Sequence, residues 1–349
     1  MIIKCPDIKS ALNDFFSENT FDKYFLLTDE NTMTYCLPLL KGVEPIDRAY
    51  VITLRSGEEH KSLASLSHIW TVLSEGQATR SSLMISLGGG LITDIGGFAA
   101  ASFKRGMANI NIPTTLLGAV DAAVGGKTGI NFNGLKNEIG AFAMPLRVFI
   151  DASFYKTLSR TELLSGYAEM LKHGLLSDGK ELAALLNFDF DNIDYPALGE
   201  MAFRSVRIKE AIVAQDPREE GIRKALNLGH TAGHAIESLS HHLERPVPHG
   251  YAVAWGMLCE LYLSHKKRGF PSAVLQRIVS FTREHYGVYP LDCKQYEALY
   301  EYMSHDKKNR SGQINFTFLD DVGKITIDCH VQKEDIFESL DFYRESLGI

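Results

Sequence analysis

The sequence predicts an α/β domain over residues 1–155 followed by a mostly α-helical domain over 156–349. Short apolar runs alternate with helical periodicity in the first part, and helical periodicity dominates the second. Each early apolar run also ends in glycine, hydroxyl or acidic residues. Buried parallel strands with a ligand crevice at their C-terminal ends have this character.

The strands are expected over 23–27, 50–54, 83–87, 109–112 and 148–150. They run into Thr28-Asp29, Arg55-Ser56-Gly57, Gly88-Gly89-Gly90, Pro113-Thr114-Thr115 and Asp151 respectively. Helices are expected over 161–176, 196–215, 230–242, 250–268, 272–286 and 294–305. Two alternating runs over 314–327, broken at Gly323, predict a hairpin, and an amphipathic helix over 333–347 closes the chain. There is no internal repeat and no low-complexity segment.

With 349 residues and 45% hydrophobic content the chain can bury a sizeable core. A formal charge of −7 argues against a general nucleic-acid or membrane-surface binder, because both partners are anionic. The 5 cysteines (Cys5, Cys36, Cys259, Cys293 and Cys329) are scattered without a CxxC pair, which fits a reducing compartment. The first residues lack a signal-peptide pattern, and 81–103 is interrupted by Asp94 and glycines. The expectation is a cytoplasmic protein.

Residues 83–98 read LMISLGGGLITDIGGF: a strand, then glycines, then a helix starting near Thr93-Asp94. Glycines admit a phosphate to the backbone, and a helix N-terminus supplies free N–H groups. A dinucleotide pyrophosphate cradle and a plain tight turn both fit, since the GxGxxG fingerprint is absent. Asp29 and Asn31 follow the first strand, Glu58 and Lys61 the second, where ribose hydroxyls could be met. Thr114 and Thr115 end another strand, Asp121 follows, and Gly125-Gly126 presents Lys127. Val120 stands where a phosphate loop needs its first glycine, so a nucleotide triphosphatase is rejected. Lys127 still suits a substrate phosphate or carboxylate.

His230 and His234 are spaced to share one helix face, and His249-Gly250 opens another helix. Glu169 sits on the helix over 161–176 with Lys172 a turn further along. A carboxylate plus imidazoles from separate helices can hold Zn²⁺ with one position open. Without a Glu after His230 the zincin pattern fails. His241 and His242 read as ordinary surface or core residues. Lys209, Arg223, Asn227, Lys307 and Lys308 stand near these elements. Cations converging on a metal site suggest a small polyanionic substrate, whereas a solvated helix face is the plainer alternative.

At this point the motifs resemble the 3-dehydroquinate synthase family. The resemblance rests on Gly88-Gly89-Gly90 with Asp94, Pro-Thr-Thr-Leu-Leu at 113–117, and Val120-Asp121 with Gly125-Gly126-Lys127-Thr128. It continues through Ala168-Glu169 with Lys172, Asn227 to His230-Thr231, Gly233-His234-Ala235 and His249-Gly250. The resemblance implies a Rossmann-like N-terminal domain, NAD, zinc (cobalt as a substitute) and a homodimer.

By motif match, Glu169, His230 and His249 would hold the metal, with His234 beside it. Asp29, Asn31, Glu58, Lys61, Gly89, Gly90, Asp94, Thr114, Thr115, Asp121, Lys127 and Lys136 would line the NAD region. Lys127, Asn137 and Lys307 would face phosphate, and Arg223 a carboxylate. Lys172, Lys209 and Asn227 would meet substrate hydroxyls, and Arg105 would reach a neighbouring subunit.

The implied reaction converts 3-deoxy-D-arabino-heptulosonate 7-phosphate to 3-dehydroquinate and phosphate, a step of aromatic amino-acid biosynthesis. It passes through transient oxidation, phosphate elimination, re-reduction and aldol closure. Three departures from the family pattern are visible: Tyr251 where Glu is common, the 131–137 loop, and Thr93 in place of Gly. The rival readings are a sister cyclase of the 2-deoxy-scyllo-inosose or valiolone type and a metal-dependent polyol dehydrogenase. Retention of Arg223 and Asn227 favours the carboxylate-bearing substrate.

Overall fold

The structure, a computed structural model, describes residues 1–133, 135–305 and 313–349. The described chain divides into two units, Met1–Ser159 with Ile193–Val206, and Arg160–Asn192 with Arg207–Ile349.

In chain order the first unit contains β1 (Ile2–Lys4), α1 (Ile8–Glu18), β2 (Tyr24–Asp29), α2 (Glu30–Tyr35) and α3 (Glu44–Asp47). Then come β3 (Tyr50–Leu54), α4 (Leu63–Glu75), β4 (Leu83–Gly88), α5 (Gly90–Ser102) and β5 (Ala108–Pro113). The antiparallel pair β6 (Lys127–Phe132) and β7 (Leu135–Phe142) precedes β8 (Arg147–Ile150).

Six strands form one parallel sheet in the order β1-β8-β5-β4-β2-β3. The chain steps from β2 to β3 on one side, then returns to lay β4 on the other. The C-terminal ends of β2 and β4 therefore flank a switch point, the usual ligand crevice of an open parallel sheet. Central β4 is buried throughout, whereas Tyr50 and Val51 of edge strand β3 are exposed. Phe25, Leu27, Ile52 and Met84 of the sheet pack against Leu66, Ile69 and Leu73 of α4 and Ile92 and Ile95 of α5. Each such side chain contributes about 1.5–3 kcal/mol on burial.

The sequence did not predict β1 or the β6–β7 hairpin. β1 has only 3 residues. In the hairpin, Gly129 pairs with Gly140, and Asn131 and polar residues interrupt the apolar alternation that marks a strand. Helix α5 begins at Gly90 rather than near Thr93-Asp94, because the glycine run itself forms the first turn.

The second unit carries α6 (Arg160–Leu176), α7 (Gly179–Leu186), the C-terminal part of α8 (Tyr195–Gln215 overall, with 195–206 in the first unit), α9 (His230–His242), α10 (His249–Arg268), α11 (Ser272–His285) and α12 (Tyr296–Ser304). The hairpin of β9 (Phe316–Asp321) and β10 (Lys324–Cys329) turns at Gly323, and α13 (Lys333–Leu347) ends the chain. Helix α6 is buried at every residue from Leu163 to Leu176, and α10 is buried over most of its length. Such all-round burial marks central core helices, and both carry residues of the candidate metal centre. Among the described residues no helix is long and apolar enough to cross a membrane.

Candidate metal centre and cofactor crevice

In the first unit the polar groups collect around the C-terminal ends of β2 to β5. Asp29 caps α2, accepting from the backbone N–H of Asn31 and Thr32 at 2.9 Å and from the Thr32 hydroxyl at 3.0 Å. Both carboxylate oxygens thus hold the first turn of α2 at the end of β2, and Asn31 itself is exposed. At the end of β4, Gly89 stands at the N-cap of α5 with no side chain capping the helix. A Cβ on Gly89 would lie 3.0 Å from Thr115 Cγ2, and one on Gly90 3.2 Å from Ala122 Cβ. Thr114 donates its N–H to Gly88 O, and Thr115 Oγ1 accepts from Gly118 N at 2.9 Å. The result is a narrow, glycine-floored helix N-terminus at the switch point. Its free N–H groups and positive dipole fit a pyrophosphate.

Lys61 is buried, and its ammonium donates to Asp94 Oδ2 at 2.5 Å and to Asn137 Oδ1. Burial drives the Asp94 carboxyl up to about 6, against the pull of Lys61 and with help from Glu58 and Asp121. Asn131 links the group: its backbone N–H donates to Lys61 O, its amide donates to Glu58, and its Oδ1 accepts from Asn137 N at 2.9 Å. Glu58, Lys61, Asp94 and Asn137 therefore form one network. Lys127 opens β6 and is exposed, as is Lys136 on β7. Asp121 lies in a π-helical turn over Gly118–Ala122. Arg105 is exposed in a tight turn, with φ of +65° after Lys104 at +48°.

The second unit brings Glu169 of α6, His230 and His234 of α9 and His249 of α10 together. Glu169 is fully buried; its Oε1 lies 3.3 Å from His230 Nε2 and 3.5 Å from His249 Nε2. The ring centroids of His230 lie 5.2 Å from His234 and 5.4 Å from His249. One ligand atom from each of the three histidines falls within 4.8 Å of the others.

Two features allow this. A Cβ on Gly250 would stand 2.0 Å from Ser165 O, so α10 can reach α6 only with glycine there. Gly250 N–H donates to Ser165 Oγ at 3.1 Å. Glu260, buried in α10, accepts from the backbone N–H groups of Gly229, Thr231 and Ala232 and so caps α9 where Gly229 offers no side chain.

The donor set fits a divalent metal. His230 Nδ1 lies 3.1 Å from the Leu228 carbonyl and must donate to it, which leaves the Nε2 lone pair facing Glu169. His249 Nδ1 lies 3.1 Å from Glu237 Oε2, with the same consequence. Burial opposes a charge on His249, but Glu169 and Glu237 outweigh it and push the imidazole up to about 10. Burial also works against the Glu169 anion. Lys172 and then His230 hold its carboxyl well below the ordinary range. A field that favours a proton on His249 also favours a cation at its Nε2.

Beside Glu169, Lys172 is buried and ion-paired with it. Lys209 and Arg223 of the second unit are buried as well. Arg223 donates to Pro217 O at 2.7 Å, and Asn227 donates to Glu219 Oε1 at 2.7 Å. Lys307 and Lys308 lie outside the described residues. Sequence reading passed over Glu237 and Glu260. Both are carboxylates on helix faces that are otherwise buried, and an acidic residue in an apolar stripe is the signal that finds them.

The chain shares its fold with sugar-phosphate cyclases of known structure. The 2-epi-5-epi-valiolone synthase of Streptomyces hygroscopicus, solved with NAD⁺ and Zn²⁺, superposes with a TM-score of 0.85 at 22% identity, over 99% of this chain and 96% of that one. A 2-deoxy-scyllo-inosose synthase, solved with carbaglucose-6-phosphate, NAD⁺ and Co²⁺, gives 0.82 at 22% identity with the same coverage. Residues 51–165 match the family described as 3-dehydroquinate synthase N-terminal, and 166–309 the one described as 3-dehydroquinate synthase C-terminal. The 3-dehydroquinate synthase of Parabacteroides distasonis is 54% identical over 348 residues, covering 100% of this chain and 99% of that one. The chain belongs to the 3-dehydroquinate synthase family.

Proposed function

We propose that this protein converts 3-deoxy-D-arabino-heptulosonate 7-phosphate to 3-dehydroquinate and phosphate, using NAD and Zn²⁺. The observation that carries the reading is the convergence of Glu169, His230 and His249, with Lys172 beside them, in a chain 54% identical to a 3-dehydroquinate synthase.

NAD supplies a reversible hydride acceptor, and a divalent metal supplies a Lewis acid at the hydroxyl being oxidised. In the reading proposed, Glu169, His230 and His249 hold the metal. The N-terminus of α5 at Gly89-Gly90, with Asp29, Asn31, Glu58, Lys61, Asp94, Thr114, Thr115, Asp121 and Lys136, surrounds the cofactor. Lys127, Asn137 and Lys307 face the leaving phosphate, and Arg223 binds the carboxylate. Lys172, Lys209 and Asn227 orient the hydroxyls, and His234 contacts the substrate beside the metal. Such cations act by preorganised electrostatics. Buried Lys172 stands against the Glu169 carboxylate, which holds its side chain in place. Arg105 completes the site of a neighbouring copy, which makes the working form a homodimer, and the cytoplasm is its place.

The test is phosphate release by chelator-stripped protein resupplied with NAD⁺ and Zn²⁺. The heptulosonate 7-phosphate is offered beside glucose 6-phosphate and sedoheptulose 7-phosphate. Release from the heptulosonate alone, without accumulating NADH, is expected. Release from another sugar phosphate would move the reading to a sister cyclase, and steady NADH production would make it a dehydrogenase.

A further inference from the structure

Beyond the ligands themselves, the two histidines that face Glu169 are oriented by unlike partners. His230 Nδ1 meets a neutral backbone carbonyl, that of Leu228, at 3.1 Å. His249 Nδ1 meets a carboxylate, Glu237 Oε2, also at 3.1 Å. Glu237 is 6% exposed and sits on α9, on the face that also presents His230 and His234, seven and three residues earlier. A carboxylate is not buried at a helix–helix contact without a partner that needs its charge.

The charge count shows what that need is. Glu169 is ion-paired with Lys172, so these two groups present no net charge. The imidazoles are neutral when their Nε2 atoms act as ligands. Among Glu169, Lys172, His230, His249 and Glu237, only Glu237 leaves net negative charge on the donor set. It acts through the His249 ring, as a proton acceptor that fixes the tautomer and makes Nε2 the stronger donor.

We propose that Glu237 is a positioning residue for metal binding, which holds His249 in its ligating tautomer and supplies the charge that Lys172 removes from Glu169. This inference rests on the metal reading given above. It assigns to Glu237 a share of the metal affinity that neither the substrate nor the cofactor carries.

The test measures Zn²⁺ affinity of the full-length apoprotein by competition with a chromophoric chelator, without substrate. Glu237→Gln, which keeps size and one acceptor but removes the charge, is expected to weaken Zn²⁺ binding about 10–100-fold. Thermal unfolding of the apoprotein should stay near that of the wild type. Glu237→Asp should recover part of the affinity. In a His249→Ala background the Glu237→Gln change should have no further effect, because the ring that transmits it is gone. A merely structural role would lower affinity equally in both backgrounds, and that result overturns the inference. So does a Glu237→Gln affinity within about twofold of the wild type. Failure of the wild-type apoprotein to take up Zn²⁺ would instead overturn the metal reading and this inference with it.

Discussion

Asp94 in the first unit and Glu169 in the second are both carboxylates held against a lysine, yet their surroundings drive them in opposite directions. Burial dominates at Asp94: one ammonium, from Lys61, does not offset it, and Glu58 and Asp121 add to the rise, so the carboxyl stands at about 6. Glu169 is more deeply buried, but Lys172, His230 and His249 all face it, and its carboxyl stays well below the ordinary range. The difference lies in the number of cations and donors converging on each group, not in the type of residue. Asp94 with Lys61 makes a nearly neutral pair at the strand ends of the first unit. Glu169 is held as the anion, the form in which a carboxylate can bind a metal.

The comparison can be broken most directly at the metal centre. His249→Ala removes one of the two imidazoles facing Glu169. Zinc retained after dialysis should fall to a trace, and phosphate release should drop roughly 10³-fold or more. Stoichiometric zinc with normal turnover would show that His249 is no ligand.

In the first unit, Lys61→Met takes away the only ammonium hydrogen-bonded to Asp94 among the described residues. A buried carboxylate left so should cost about 3 kcal/mol at pH 7, read from urea unfolding. A loss below about 1 kcal/mol would mean that the network contributes little.

Gly250→Ala probes the approach of α10 to α6. The added Cβ would lie 2.0 Å from a backbone oxygen that cannot swing away. The expected destabilisation is about 2 kcal/mol, with weaker zinc binding because His249 moves with its helix. Unchanged stability would show that the two helices have slack.

A pH dependence follows at Asp94 itself. The folded-state pKa of Asp94, about 6, lies above its ordinary 3.8, so the folded chain binds this proton more tightly than the unfolded one. The contribution of Asp94 to stability is therefore greatest below about pH 4, declines as pH rises toward 6, and is constant above that. Comparing wild type with Asp94→Asn over this window should show the difference, and an NMR titration midpoint near 4 would contradict it.

Much of this was legible in the sequence. Five of the six sheet strands declare themselves as apolar runs that end in polar or glycine residues. Helices α6, α8, α9 and α10 follow from their periodicity, and the β9–β10 hairpin from two alternating runs around Gly323. His230 and His234 could be placed on one face because spacing on a helix fixes it, and Glu169 and His249 joined them through the family resemblance. Other features carry no local signal. The β6–β7 hairpin is held by cross-strand pairing around Gly129 and Gly140, not by an apolar alternation. The segment Ile193–Val206 belongs with the first unit although it lies forty residues past the sheet. That Asp29 caps α2 shows only in the fold.

By itself, then, the sequence determined five of the six sheet strands, the main helices of the second unit and the helix face that His230 and His234 share, because helical and strand periods are local properties of the backbone. Only the tertiary structure decided that Glu237 would orient His249, that Glu260 would cap α9, and that Asp94 and Glu169 would titrate in opposite directions. Those outcomes depend on desolvation and on charges from other elements. A residue acquires both only when the helices pack.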